Sequence, residues 1–109
     1  MQTPTLPQLA QPVFYCDDER MIHAAIITGC HPPEQLSHIV NLIYFQHTGR
    51  YRPGFSVQRA THDGTKWRIL NRWFPYPQDE YDTTTPRHDD FSLFKWPTPT
   101  DTPLRDYNR

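Results

Sequence analysis

The chain has 109 residues, enough for one small domain with a modest core and too few for two independent ones. Its formal net charge of −1 hides a segregation: residues 50–73 carry six cations against Asp63 alone, whereas residues 1–49 and 74–109 each sum to −3. A near-neutral chain is a poor general nucleic-acid binder, and its longest apolar runs, residues 24–27 and 42–45, fall far short of the roughly 20 residues a membrane span needs.

Residues 1–12 hold Pro4, Pro7 and Pro12 and read as an extended arm. They offer neither a basic start nor an apolar run, so no signal peptide is expected, and the two cysteines read as free thiols of a cytoplasmic protein. Residues 13–16 suit a short strand. Over residues 17–28, Met21, Ile22, Ala25 and Ile26 fall on one helical face, Asp17 or Asp18 suits the N-cap, and Gly29 suits a left-handed C-cap. A second helix is expected over 34–47, where Leu36, Ile39, Val40 and Ile43 form an i, i+3, i+4, i+7 stripe behind Pro32 and Pro33. His38, Leu42 and Phe45 would share its opposite face.

Residues 55–74 read as a β-hairpin around THDGT that pairs Arg59 with Trp67 and Val57 with Ile69. That register puts Phe55, Val57, Trp67, Ile69 and Trp73 toward a core and Arg68, Leu70 and Arg72 on a basic face. The expected architecture is α+β: a helical hairpin packed on a small antiparallel sheet over residues 13–74, with a proline-rich acidic tail over 75–109.

Cys16, His23, Cys30, His31, His38 and His47 include zinc-ligand types, but no C-x-x-C or H-x-x-x-H spacing occurs. Cys30 near a helix start has the environment of an activated thiol, yet Pro32 and Pro33 remove the amide donors that would hold a thiolate. P-loop, G-x-S-x-G and deaminase patterns are missing, so no catalytic residue, metal or cofactor is expected.

The order helix, turn, helix, β-hairpin over residues 17–74, with Ala25 four residues before Gly29, resembles the reading half of a winged-helix DNA-binding domain. The resemblance implies nucleic-acid binding, although no first helix precedes residue 17 and the would-be recognition helix carries neither Arg nor Lys. Residues 90–94, DFSLF, resemble the Q-L-S/D-L-F pentapeptide by which many bacterial proteins dock on the DNA sliding clamp; Ser92, Leu93 and Phe94 match, and Asp90 and Phe91 do not. The reading adopted instead has Phe91, Leu93, Phe94 and Trp96 folding back as a cover for Leu42 and Phe45.

These features lead to a small non-catalytic binding protein acting through protein–protein contacts at His38, Leu42, Phe45, Arg59, Trp67, Arg68 and Arg72. Its size is that of many inhibitors and accessory factors of mobile elements. The alternative is nucleic-acid binding, with phosphates held by Arg50, Arg52, Arg59, Lys66 and Arg68.

Overall fold

The computed structural model describes residues 4–31 and 38–97. Its strands are β1 (Pro12–Cys16), β2 (Ile22–Cys30), β3 (Val40–Phe45), β4 (Tyr51–Arg59), β5 (Thr61–His62), β6 (Trp67–Arg68) and β7 (Arg72–Pro75), followed by a 3-10 turn at His88–Asp90. A closed barrel runs β1-β2-β3-β4-β7, and β5-β6 form a separate two-stranded hairpin. Barrel neighbours are antiparallel except β4 and β7, which run parallel and meet at only two registered pairs, Gln58 with Arg72 and Arg59 with Trp73.

The α+β helical hairpin is therefore overturned: among the described residues there is no α-helix, and the architecture is all-β. The signals read as helix caps serve strands instead. Asp17 Oδ1 accepts from the Glu19 and Met21 amides at 2.8 and 3.0 Å, which builds the tight β1–β2 turn. Gly29 sits within β2 where the register to β3 shifts, a bulge and not a cap. In β3, Val40 and Leu42 point into the barrel while Ile43 and Phe45 point out, a period of two carried by β-branched and aromatic residues. Residues 34–37 of the expected second helix lie outside the described residues. Without that helix the winged-helix order is absent as well.

The hairpin turn forms where expected, with Gly64 at φ 98° and Asp63 Oδ1 accepting from the Thr65 and Lys66 amides at 3.0 Å each. Its register differs: Thr61 faces Arg68 and His62 faces Trp67. Arg59 is drawn away from Trp67 because β4 pairs with β7 to close the barrel.

Two apolar clusters result, one on each side of the sheet. Val13, Ala25, Ile27, Val40, Leu42, Val57 and Trp73 fill the barrel. Cys16, Ile22 and Phe74 belong to the outer face of β1, β2 and β7, where Ala60, Ile69 and Phe91 complete a second cluster with Phe94 and Trp96 against it. Met21 and Lys95 form a parallel bridge, with the Ile22 amide donating to the Lys95 carbonyl at 2.8 Å, and this fastens the C-terminal segment over that face. Segment 91–96 thus covers Cys16, Ile22 and Phe74, whereas Leu42 is interior and Phe45 stays 40% exposed.

Candidate binding groove

Beside that cover lies an open groove of about 670 Å³, walled by β6 and its turn on one side and by Phe91, Leu93 and Phe94 on the other. Arg20, Lys66, Arg68 and Arg72 line it against the single carboxylate of Asp90. Three chain segments supply its cations. The β1–β2 turn holds Arg20 at φ 66° and brings its guanidinium 5.9 Å from the Phe94 ring, while its carbonyl accepts from the Lys95 amide at 3.0 Å. The β5–β6 hairpin supplies Lys66, Trp67 and Arg68; Trp67 is half-buried with its ring 5.2 Å from His62. β7 supplies Arg72, whose Nη1 donates to the Arg59 carbonyl at 3.1 Å.

Arg68 lies 3.7 Å from Asp63, an exposed pair that contributes little and leaves the guanidinium open to another acceptor. Asp63 itself is held far below the usual carboxylate range by the Lys66 and Thr65 amides, so it is a permanent anion of the turn. Asp90 accepts from the Arg87 amide at 2.7 Å. The groove's cations therefore outnumber its anions, and aromatic rings and the exposed Leu70 and Leu93 surround them.

The expected contact residues divide three ways. Lys66, Trp67, Arg68 and Arg72 converge on the groove. Phe45, Arg50 and Arg52 are exposed around the β3–β4 turn. Leu42, Arg59 and His38 are drawn inward: Leu42 is 1% exposed, and Arg59, at 7%, donates to the Thr84 carbonyl at 2.6 Å and to Thr85 Oγ1 at 3.1 Å. His38 is half-buried, with its carbonyl accepting from the Trp73 indole at 2.8 Å. Sequence reasoning missed Arg20 and Asp90 as groove residues; the one available signal was that DFSLF would fold back.

Burial, with the nearby Arg59 charge, pushes the His38 imidazole below its ordinary value. Burial alone would raise the Asp17 carboxyl, but His23 at 2.7 Å and the Met21 and Glu19 amides outweigh it and leave Asp17 low. Asp82 is likewise low: burial opposes, and bonds from Thr84 and the Gln78 amide prevail. All three groups bind protons less readily folded than unfolded. Their stabilisation is present above the unfolded values, about 6.5 for His and 3.9 for Asp, and is lost as pH falls through the folded ones. The melting temperature should drop on acidification from neutral, first with His38 and again at lower pH with the two aspartates. A melting temperature that rises between neutral pH and about 5 would contradict the His38 environment. Cys16, buried beside Asp17, has its thiol pushed up to about 12 and stays protonated.

Among the described residues no three His, Cys, Asp or Glu side chains converge on a metal-sized site, and no helix is long and apolar enough to cross a membrane. No protein-family model, curated protein or solved structure matches this chain, so an inhibitory or mobile-element role has chain length alone behind it.

Proposed function

We propose that the protein is a non-catalytic binding module whose groove receives an extended, acidic segment of a partner protein. The observation that carries this is the groove itself, with four cations against one carboxylate around Trp67 and Phe94. Exposed Leu70 and Leu93, at 45% and 77%, give apolar side chains of such a segment a place beside its carboxylates. The formal net charge of −1 weighs against general binding to a polyanion. Free Cys16 and Cys30 fit the cytoplasmic location that goes with this reading.

The test is fluorescence anisotropy with labelled peptides that alternate Asp or Glu with Leu or Phe, beside the same peptides carrying Asn and Gln. The acidic series should bind and the amide series should not. Reversing Lys66 and Arg68 together to glutamate should weaken binding by at least about tenfold. Equal binding of the two series would discard the reading.

A second reading, single-stranded nucleic acid, draws on Trp67 standing between Lys66 and Arg68, a ring flanked by two phosphate-binding cations. Arg59 cannot serve it, because its guanidinium is spent inside the fold on Thr84 and Thr85. Oligonucleotide affinity would then fall steeply with added salt, and an absence of binding at low salt would remove this reading.

A further inference from the structure

The outer face of the barrel is apolar well beyond the part that the chain covers for itself. The strand registers line it up in rows: Ile26, Ile43 and Pro53 stand side by side across β2, β3 and β4, and Ala24, Phe45 and Tyr51 form the next row. Side chains in one row share a face, and the alternation with interior Ala25, Ile27 and Leu42 fixes that face as the outer one. Toward β1 it continues into Phe14, against which Tyr76 and Trp96 pack edge-on at 4.4 and 5.4 Å. The cover stops there. Past it, Ile26 is 38% exposed, Phe45 40%, Tyr51 67% and Phe55, two residues beyond Pro53, 73%.

We propose that this face is a dimer interface, occupied by the same face of a second copy of the chain. Area is the first argument. Aromatic side chains carry roughly 150–250 Å² each, so the open rings and their aliphatic neighbours present on the order of 500 Å², at the upper end of what monomers leave exposed. Two such faces together remove about 1,000 Å² from water, the lower bound for a specific interface, which makes a weak dimer that dissociates on dilution.

Charge is the second argument, and it selects a second copy over an unrelated apolar partner. The β1–β2 and β3–β4 turns lie at one end of the sheet, because Cys16 pairs with Ile22 and Phe45 with Tyr51. The first turn exposes Asp18, Glu19 and Arg20, of which Arg20 lines the groove beside Phe94 and leaves the turn net acidic, and the second exposes Arg50. A twofold axis parallel to the strands lays β2 of each copy over β4 of the other, and sets each acidic turn beside the other copy's basic turn. Self-complementarity of this kind needs opposite charges at the two lateral edges of one face, and the face has them.

Sedimentation equilibrium on the full chain, from micromolar to millimolar concentration, tests the proposal. The wild type should show a reversible monomer–dimer transition. Ile26→Lys with Phe45→Lys should leave a folded monomer at every concentration. Arg50→Glu alone and Glu19→Lys alone should each weaken dimerisation by about tenfold, and the two together should restore it, because the pair is swapped. Both charge positions lie in exposed turns, so they carry the test even if the lysine variant does not fold. A wild type that is monomeric at millimolar concentration, or a charge-swapped double variant no better than its singles, would overturn it. Reversing Lys66 and Arg68 in the groove should leave the dimer intact, which separates the two surfaces.

Discussion

Trp73→Ala will cost the fold about 3–5 kcal/mol, read by chemical denaturation, as expected for emptying one of the largest fully buried side chains among the described residues. Trp73 is 1% exposed and lies where the barrel closes, paired to Tyr15 of β1 on one side and in parallel to Arg59 of β4 on the other. Its removal empties the interior, orphans the His38 carbonyl and strips Arg59 of the ring 5.8 Å from its guanidinium. Only two residue pairs join β4 to β7, so no neighbouring ladder compensates. Trp73→Phe keeps most of the volume and loses the indole donor, and should cost about 1–3 kcal/mol. Equal losses for the two variants would show that the hydrogen bond, and not the filled space, holds the closure.

Arg59→Met should destabilise by about 2–4 kcal/mol, the balance of two opposing effects. Burying a guanidinium is costly, and a flexible apolar replacement relieves that cost. Against this, Arg59 satisfies the Thr84 carbonyl and Thr85 Oγ1, and the loss leaves both acceptors without their charged donor in a region where Thr85 is 2% exposed. The Asp82 carboxylate, which favours the charged Arg59 guanidinium, would lose that neighbour as well. The orphaned acceptors win. Local release should accompany the global loss: cleavage by chymotrypsin after exposed Tyr81 should accelerate more than the change in melting temperature accounts for. A variant as stable as the wild type, with unchanged cleavage, would mean that the segment is held by the outer cluster and not by Arg59.

The turn at Asp63 and Gly64 was legible in the sequence, and so were the strand at 13–16 and the burial of Val57, Ile69 and Trp73, whereas Phe55, expected on the same core face, is 73% exposed. The helices were misread for one physical reason. Strands that are polar on one side announce themselves by alternation, but β2 and β3 are apolar on both: Ala25, Ile27 and Leu42 face the interior, while Ile26, Ile43 and Phe45 face outward. Two apolar faces read in sequence as a continuous run, from which a helical stripe is easily selected. Half of that outer face is covered by segment 91–96 and the other half stands open, and local sequence reveals neither. The groove was half legible. Lys66, Trp67, Arg68 and Arg72 came from one basic window, whereas Arg20 and Phe94 are 74 residues apart and meet only through the bridge between Met21 and Lys95.

That same bridge makes the groove a composite of the barrel and its cover. The measurement that tests its role most directly is an NMR titration of the full chain with an acidic, leucine-bearing peptide, following backbone amides and the tryptophan indoles. Shifts should gather on Lys66, Trp67, Arg68, Leu93 and Phe94, and vanish when the peptide's carboxylates are replaced by amides. Shifts confined to Phe45, Tyr51 and Phe55, or none at millimolar peptide, would contradict the groove as the binding site.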